Sequence, residues 1–231
     1  VTLRRGIRLS GQFTIEGKPQ GITDADIAQI RPVLIREPEV LGMPTAIPGA
    51  WQGLPAYLQP NGVPGADGSF TLQGVADGDY RLVLVPMPPN SYLKSIRLGT
   101  SDVLRGGLHV RGQMPDKIEI VIGTDTSSLS GVVTEGTTRP APNSTVALVP
   151  ESEEFRSRFD LYRSATSDAK GQFLLTHVAP GFYRIFAWNY VEPNAWQNSE
   201  FMRPYDSLGK LIQVGSGGSR NIRLDGIELL K

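Results

Sequence analysis

Two stretches of this chain repeat one another, and that repetition limits what it can fold into more than any other feature. Residues 74–85 read GVADGDYRLVLV and residues 177–188 read HVAPGFYRIFAW. Each gives Val-Ala, a turn ending in Gly, one spacer, then Tyr-Arg and a hydrophobic run. Upstream, DGSFTL from Asp67 is matched by KGQFLL from Lys170 at the same offset. Downstream, PNSY at Pro89 to Tyr92 is matched by PNAW at Pro193 to Trp196, one residue further out. Matches in this order imply two copies of one fold, and 231 residues accommodate two domains of ordinary size.

The local pattern is that of strands. Phe70 and Leu72 share one face while Ser69, Thr71 and Gln73 share the other; Tyr80, Leu82 and Leu84 alternate in the same way, as do Tyr183, Ile185 and Ala187. Asp67-Gly68 and Lys170-Gly171 are tight-turn signals ahead of strands. Gly78 and Gly181 sit two residues before Tyr80 and Tyr183. A tyrosine so placed can bury its ring and return its hydroxyl to local backbone, which marks these four residues as a structural corner rather than catalytic machinery.

The opening strand of each copy is visible in IRLSGQFTIEG from Ile7 and SSLSGVVTEG from Ser127, which share Leu-Ser-Gly. Residues 1–124 therefore form the first domain and 125–231 the second. Residues 1–5 have the shape of the closing strand of a preceding copy, which suggests a piece of a longer array. Residues 37–66 are rich in Pro and Gly without periodicity and read as a long surface loop. One short helix is expected near residues 194–203, capped by Asn194 and stopped by Pro204.

The pattern SGVV…STVALVP…GQFLLTHVAPGFYRIFAW resembles the carboxypeptidase regulatory-like domain, closely over residues 127–231 and more loosely over 7–123. The resemblance implies an all-β fold: two tandem Greek-key β-sandwiches of the transthyretin-like or Ig-like kind, found in bacterial secreted and cell-surface proteins. In metallocarboxypeptidases this domain accompanies the catalytic unit and holds no catalytic residue. The resemblance thus implies an extracytoplasmic location and no activity.

Composition and motifs point the same way. Lys plus Arg and Asp plus Glu are equal at 23 each, so no net field draws nucleic acid. There is no cysteine, which excludes disulfides, thiolate metal sites and a cysteine nucleophile. No apolar run approaches the roughly 20 residues of a membrane-spanning helix, so membrane insertion is not expected. His109 and His177 begin no zinc motif, and neither GxSxG nor a P-loop is present. Asp24 with Asp26 lacks the alternating ligands of a calcium loop. Lys18 near Glu16 has no counterpart in the second copy for a Lys–Asn cross-link. The expectation is no enzyme, no metal and no cofactor.

Aromatic residues are the one hint of a ligand. Trp51 and Tyr57 lie in the long loop, and Trp188, Tyr190, Trp196, Phe201 and Tyr205 gather after the last shared strand. Exposed rings could stack on sugars, making the chain a carbohydrate-binding module; alternatively, the extension folds back and buries them. Set beside these are a structural or interaction module, such as a stalk, adhesin or assembly subunit, and an accessory domain to an upstream enzyme. The expected partners are other domains of the parent chain or neighbouring copies joined by β-strand addition, with glycans as the alternative.

Overall fold

The computed structural model describes residues 6–17, 26, 29–36, 65, 67–114, 117–136 and 138–227. The expected strand at residues 1–5 and most of the loop at 37–66 lie outside the described residues, as do Trp51, Tyr57, Lys18 and Asp24. The described chain is mostly β, as the alternating patterns require, and divides into two compact units, residues 1–124 and 125–231.

In unit 1, β1 (Ile7–Glu16) pairs antiparallel with β3 (Ser69–Val75) and parallel with β8 (Ile118–Gly123). β8 in turn pairs antiparallel with β5 (Tyr92–Leu98), which β6 (Ser101–Asp102) follows. A second sheet holds β2 (Arg31–Arg36), β4 (Gly78–Val85) and β7 (Leu108–Val110) in that order. The inward residues of both sheets, among them Leu9, Phe70, Leu72, Tyr80, Leu82, Leu84, Leu108, Ile118 and Ile120, form one buried cluster. Period-two alternation supplies this arrangement directly, because each strand turns one residue in two toward the other sheet. A single-turn helix, α1 (Val103–Gly106), is capped by the Asp102 carboxylate, which accepts from Arg105 N.

Unit 2 uses the same plan. β9 (Ser127–Glu135) pairs antiparallel with β13 (Gln172–Val178) and parallel with β16 (Ser219–Asp225), and the short β10 (Arg139–Pro140) joins its far end. The other sheet runs β12 (Arg163–Thr166), β11 (Thr145–Pro150), β14 (Gly181–Trp188) and β15 (Lys210–Val214). The registers match residue for residue. Gly11 lies opposite Phe70 and Ile118, while Gly131 lies opposite Phe173 and Ile222. The two turn glycines, Gly68 and Gly171, have φ of 78° and 73°, the left-handed region that glycine enters without cost. Their carbonyls accept from Phe13 N at 3.0 Å and Val133 N at 2.8 Å, holding equivalent hairpins to equivalent opening strands.

The sequence match at PNSY and PNAW conceals the main difference. In unit 1 the chain continues as β5 and covers the outer side of β8. In unit 2 it instead forms a 3-10 turn at Ala195–Gln197 and a single-turn helix, α2 (Ser199–Met202), so that β16 pairs with a strand only through β9 among the described residues. The expected helix is present, but its cap is Asn198 rather than Asn194. The Asn198 side chain accepts from Glu200 N and Phe201 N at 2.8 and 3.2 Å, whereas Asn194 has φ 66° and caps nothing. A cap needs the extended backbone that Asn198 has and Asn194 lacks.

The tyrosines after the two turns behave alike. Tyr80 Oη donates to Ala76 O at 3.0 Å, and Tyr183 Oη donates to Ala179 O at 3.0 Å. A Cβ built on Gly78 or Gly181 would lie 3.2 Å from the following tyrosine's ring, so each glycine makes room for a ring folding back over it. Ala179 is buried and Ala76 is exposed. Tyr183→Phe therefore strands a buried acceptor and is expected to cost about 1–2 kcal/mol, while Tyr80→Phe costs roughly half as much because water reaches Ala76. Urea denaturation of the two variants checks the order; equal losses would refute it.

Candidate functional site

Three of the residues nominated for ligand stacking, Trp188, Trp196 and Tyr205, converge on one face of unit 2. Residues 145–150 of β11 leave almost no side chain exposed, and in β14 both Ile185 and Phe186, and both Ala187 and Trp188, are buried. A strand covered on both faces needs a second layer, and the segment after β14 provides it. Ala147, Val149, Phe186 and Trp188 from the sheet pack with Tyr162, Val191, Trp196, Met202 and Tyr205 in one cluster. Trp188 is 0% exposed, its ring stacked on Phe186 at 5.2 Å and met edge-on by Tyr205 at 5.8 Å. Phe201 closes on Tyr205 at 5.0 Å. Gly209 lets the returning chain pass the Phe186 ring, since a Cβ there would come within 2.4 Å of it.

This placement corrects the sugar-stacking expectation for three residues. Trp188, Trp196 and Tyr205 are buried and present no ring face, because the extension covers the outer face of β11 and β14. Tyr190 alone of the described candidates is exposed, at 63%, with its hydroxyl donating to Glu192 Oε1 at 2.5 Å. That bond to a carboxylate, and the charge beside it, push the Tyr190 phenol above its ordinary pKa. The remaining exposed apolar side chains include Phe182 and Leu211. Registers Phe182 to Gln213 and Arg184 to Leu211 make these two diagonal neighbours on the outer face, beyond the reach of the extension. Alternation alone would have exposed all of that face; the consecutive apolar residues Ile185 to Trp188 are the local signal that half of it is covered.

Ion pairs border the extension. Arg156 donates to both oxygens of Asp206 at 2.7 and 3.2 Å, and this pairing raises the guanidinium pKa above its ordinary value. Arg184 donates to Glu151 Oε1 at 2.9 Å and to Gly209 O at 3.2 Å. With Glu153 and Ser207 these residues line an open cleft of about 270 Å³ in which each arginine already faces a carboxylate. The Tyr162 hydroxyl donates to Arg156 O at 2.9 Å, tying the loop after β11 to the same border. The geometry is that of a clamp holding the extension on the sheet, an arrangement that fixes position more than it adds stability.

The two histidines are apart in sequence and in role. His109 and Arg111 both contact Asp79 Oδ1, at 2.8 and 2.7 Å, and hold that exposed carboxyl below its ordinary pKa, His109 first. His177 occupies the position of Gly74, and both are left-handed, with φ of 57° and 72°. They lie at the register shift beside the opening strand, and the His177 carbonyl accepts from Arg163 Nε at 3.0 Å. This gives His177 a place in the bulge. Glu16 forms an ion pair with Lys94 at 2.9 Å. Among the described residues no three His, Asp or Glu side chains gather as a metal site, and no helix is long and apolar enough to cross a membrane.

The fold thus defines a pair of β-sandwiches, the second carrying a packed aromatic extension. No family model and no curated protein matches the chain. Among solved structures it is similar to a minor pilin of Streptococcus agalactiae, at 12% identity over 97% of this chain and 96% of that one, with a TM-score of 0.38. It is also similar to a shaft pilin of Lactobacillus rhamnosus GG, at 11% identity, 98% and 99% coverage and a TM-score of 0.30. A candidate carbohydrate-binding protein of Pseudomonas aeruginosa matches at 15% identity over 44% of this chain and 88% of its own, with a TM-score of 0.29.

Proposed function

We propose that this chain is a non-enzymatic, extracytoplasmic structural module, a load-bearing stalk or assembly piece of a larger surface protein. One observation carries the reading. In each unit the first and last of the described strands are hydrogen-bonded neighbours running parallel: β1 with β8 from Gly11–Ile118 to Glu16–Gly123, and β9 with β16 from Ser128–Ser219 to Thr134–Asp225. Tension entering at the start of the first strand and leaving at the end of the last pulls them in opposite directions along their length. The bonds run across the strands, so they are loaded together in shear instead of opening one at a time. This geometry suits a module held in series under force. Burial of Trp188, Trp196 and Tyr205 supports the same reading, because it withdraws most of the described rings from the carbohydrate alternative.

Force spectroscopy tests the proposal, and the absence of cysteine lets attachment points be chosen freely. Pulling unit 2 through its ends is expected to require several times the force needed to pull it apart across Ser130→Cys and Leu174→Cys, two residues facing each other on β9 and β13. Equal forces in the two directions would refute a load-bearing role.

A further inference from the structure

The outer side of β16 differs from its counterpart in unit 1. Superposing registers through Gly11 and Gly131 makes Ile118 equivalent to Ile222, Glu119 to Arg223 and Ile120 to Leu224. In unit 1 that side carries β5 in antiparallel pairing, with Ile96 opposite Ile120, Arg97 opposite Glu119 and Leu98 opposite Ile118. In unit 2 the matching segment has been diverted into the extension over the other sheet, and among the described residues no strand follows β16 on this side. The phase of the β9 ladder is fixed at both ends, by Ser128 N donating to Gly218 O and Gly226 N donating to Thr134 O. Even-numbered residues of β16 therefore direct their backbone groups to β9, and Ser219, Asn221, Arg223 and Asp225 direct theirs outward. Lys210 Nζ already donates to the outward Arg223 carbonyl at 3.2 Å, an exposed contact that an incoming strand would displace.

The charge on this edge is also changed. Where β8 presents Glu119 to an arginine of β5, β16 presents Arg223, with Lys210 beside it. Arg220 alternates to the other face and donates to Gln213 O at 3.1 Å, and the Asp225 carboxylate accepts from Thr134 Oγ1 at 3.2 Å. We infer that the outer edge of β16 is a docking site for an extended partner segment that adds as an antiparallel strand, with apolar residues flanking a carboxylate placed opposite Arg223. The fold of unit 1 shows what such an edge accepts, and the charge reversal specifies how the occupant must differ. The site deepens the reading of the chain as an interaction module but is independent of the shear geometry. The force measurement reports on β9 against β16, and strand addition reports on the opposite side of β16.

Two labelled peptides test it against the intact chain: the unit 1 strand sequence SYLKSIRL, and the same peptide with its arginine replaced by glutamate. Each is titrated by fluorescence anisotropy at low ionic strength. The glutamate peptide is expected to bind roughly three- to tenfold more tightly, the range that a cross-strand charge pair gives when repulsion is exchanged for attraction. Arg223→Glu in the chain should invert that preference, and because Arg223 is exposed the core is untouched. Methylating the peptide nitrogen at the glutamate removes a ladder bond and should abolish binding. No binding by either peptide, a preference unchanged by Arg223→Glu, or undiminished binding of the methylated peptide would each overturn the inference.

Discussion

Gly131→Ala is expected to destabilise unit 2 by about 3 kcal/mol or more, a large share of the stability of a domain this size. The residue sits in the central strand with β13 on one side and β16 on the other. A Cβ there would stand 1.8 Å from the Ile222 carbonyl oxygen and 2.8 Å from an atom of the Phe173 ring. Neither neighbour yields cheaply: the carbonyl belongs to the parallel ladder, and Phe173 is buried in the core. Gly11 is in the same position in unit 1, with the Phe70 ring at 2.2 Å and Ile118 O at 2.6 Å. The Leu-Ser-Gly shared by the two opening strands is thus explained: glycine admits the phenylalanine from the neighbouring strand across its face. Two of the three tryptophans, Trp188 and Trp196, lie buried in unit 2, so urea denaturation followed by their fluorescence reads that unit. A midpoint within error of the unaltered chain would refute the account.

What the sequence disclosed and what it withheld follow one physical division. Short-range features were legible: the glycine turns, the strand alternation of Phe70, Leu72, Tyr80 and Leu82, and the Gly-x-Tyr corners each depend on residues a few positions apart. The duplication showed where such features recur. The fate of the segment after each PN motif was not legible, because Tyr92 and Trp196 align while one begins a strand and the other enters a 3-10 turn. That outcome depends on which distant surface is available. Ile96 and Leu98 find β8. Trp196, Met202 and Tyr205 find the outer face of a sheet whose Val149, Phe186 and Trp188 are apolar on the side that alternation assigns to water.

The candidate ligand residues illustrate the same division. A cluster of rings after the last shared strand is compatible both with a stacking platform and with a buried layer. The consecutive buried run Ile185, Phe186, Ala187, Trp188 was the available signal for the second reading. A strand apolar at successive positions must be covered on both faces. The border of ion pairs from Arg156 to Asp206 and Arg184 to Glu151 gave no sequence signal, since its partners lie 50 and 33 residues apart.

Alkaline pH is expected to destabilise unit 2 between about pH 10 and 12. Tyr162 and Tyr183 are both buried, and burial pushes each phenol from its ordinary 10 up to about 12, against the opposing pull of nearby arginines. The fold needs both hydroxyls protonated, since Tyr162 donates to Arg156 O and Tyr183 to Ala179 O. In this range the folded chain holds protons that the unfolded chain has released, so stability falls as pH rises. The contribution is fully present below about pH 10 and is lost as pH climbs through 12. A rise of this size corresponds to on the order of 2–3 kcal/mol for each tyrosine. Lysines lose charge in the same range, so the comparison that isolates the phenols is the unaltered chain against Tyr183→Phe and the Tyr162→Phe/Tyr183→Phe pair. Each replacement lowers stability at pH 8 through its lost hydrogen bond, but should flatten the decline above pH 10, the double variant most. Parallel declines in all three proteins would show that these hydroxyls do not govern the transition.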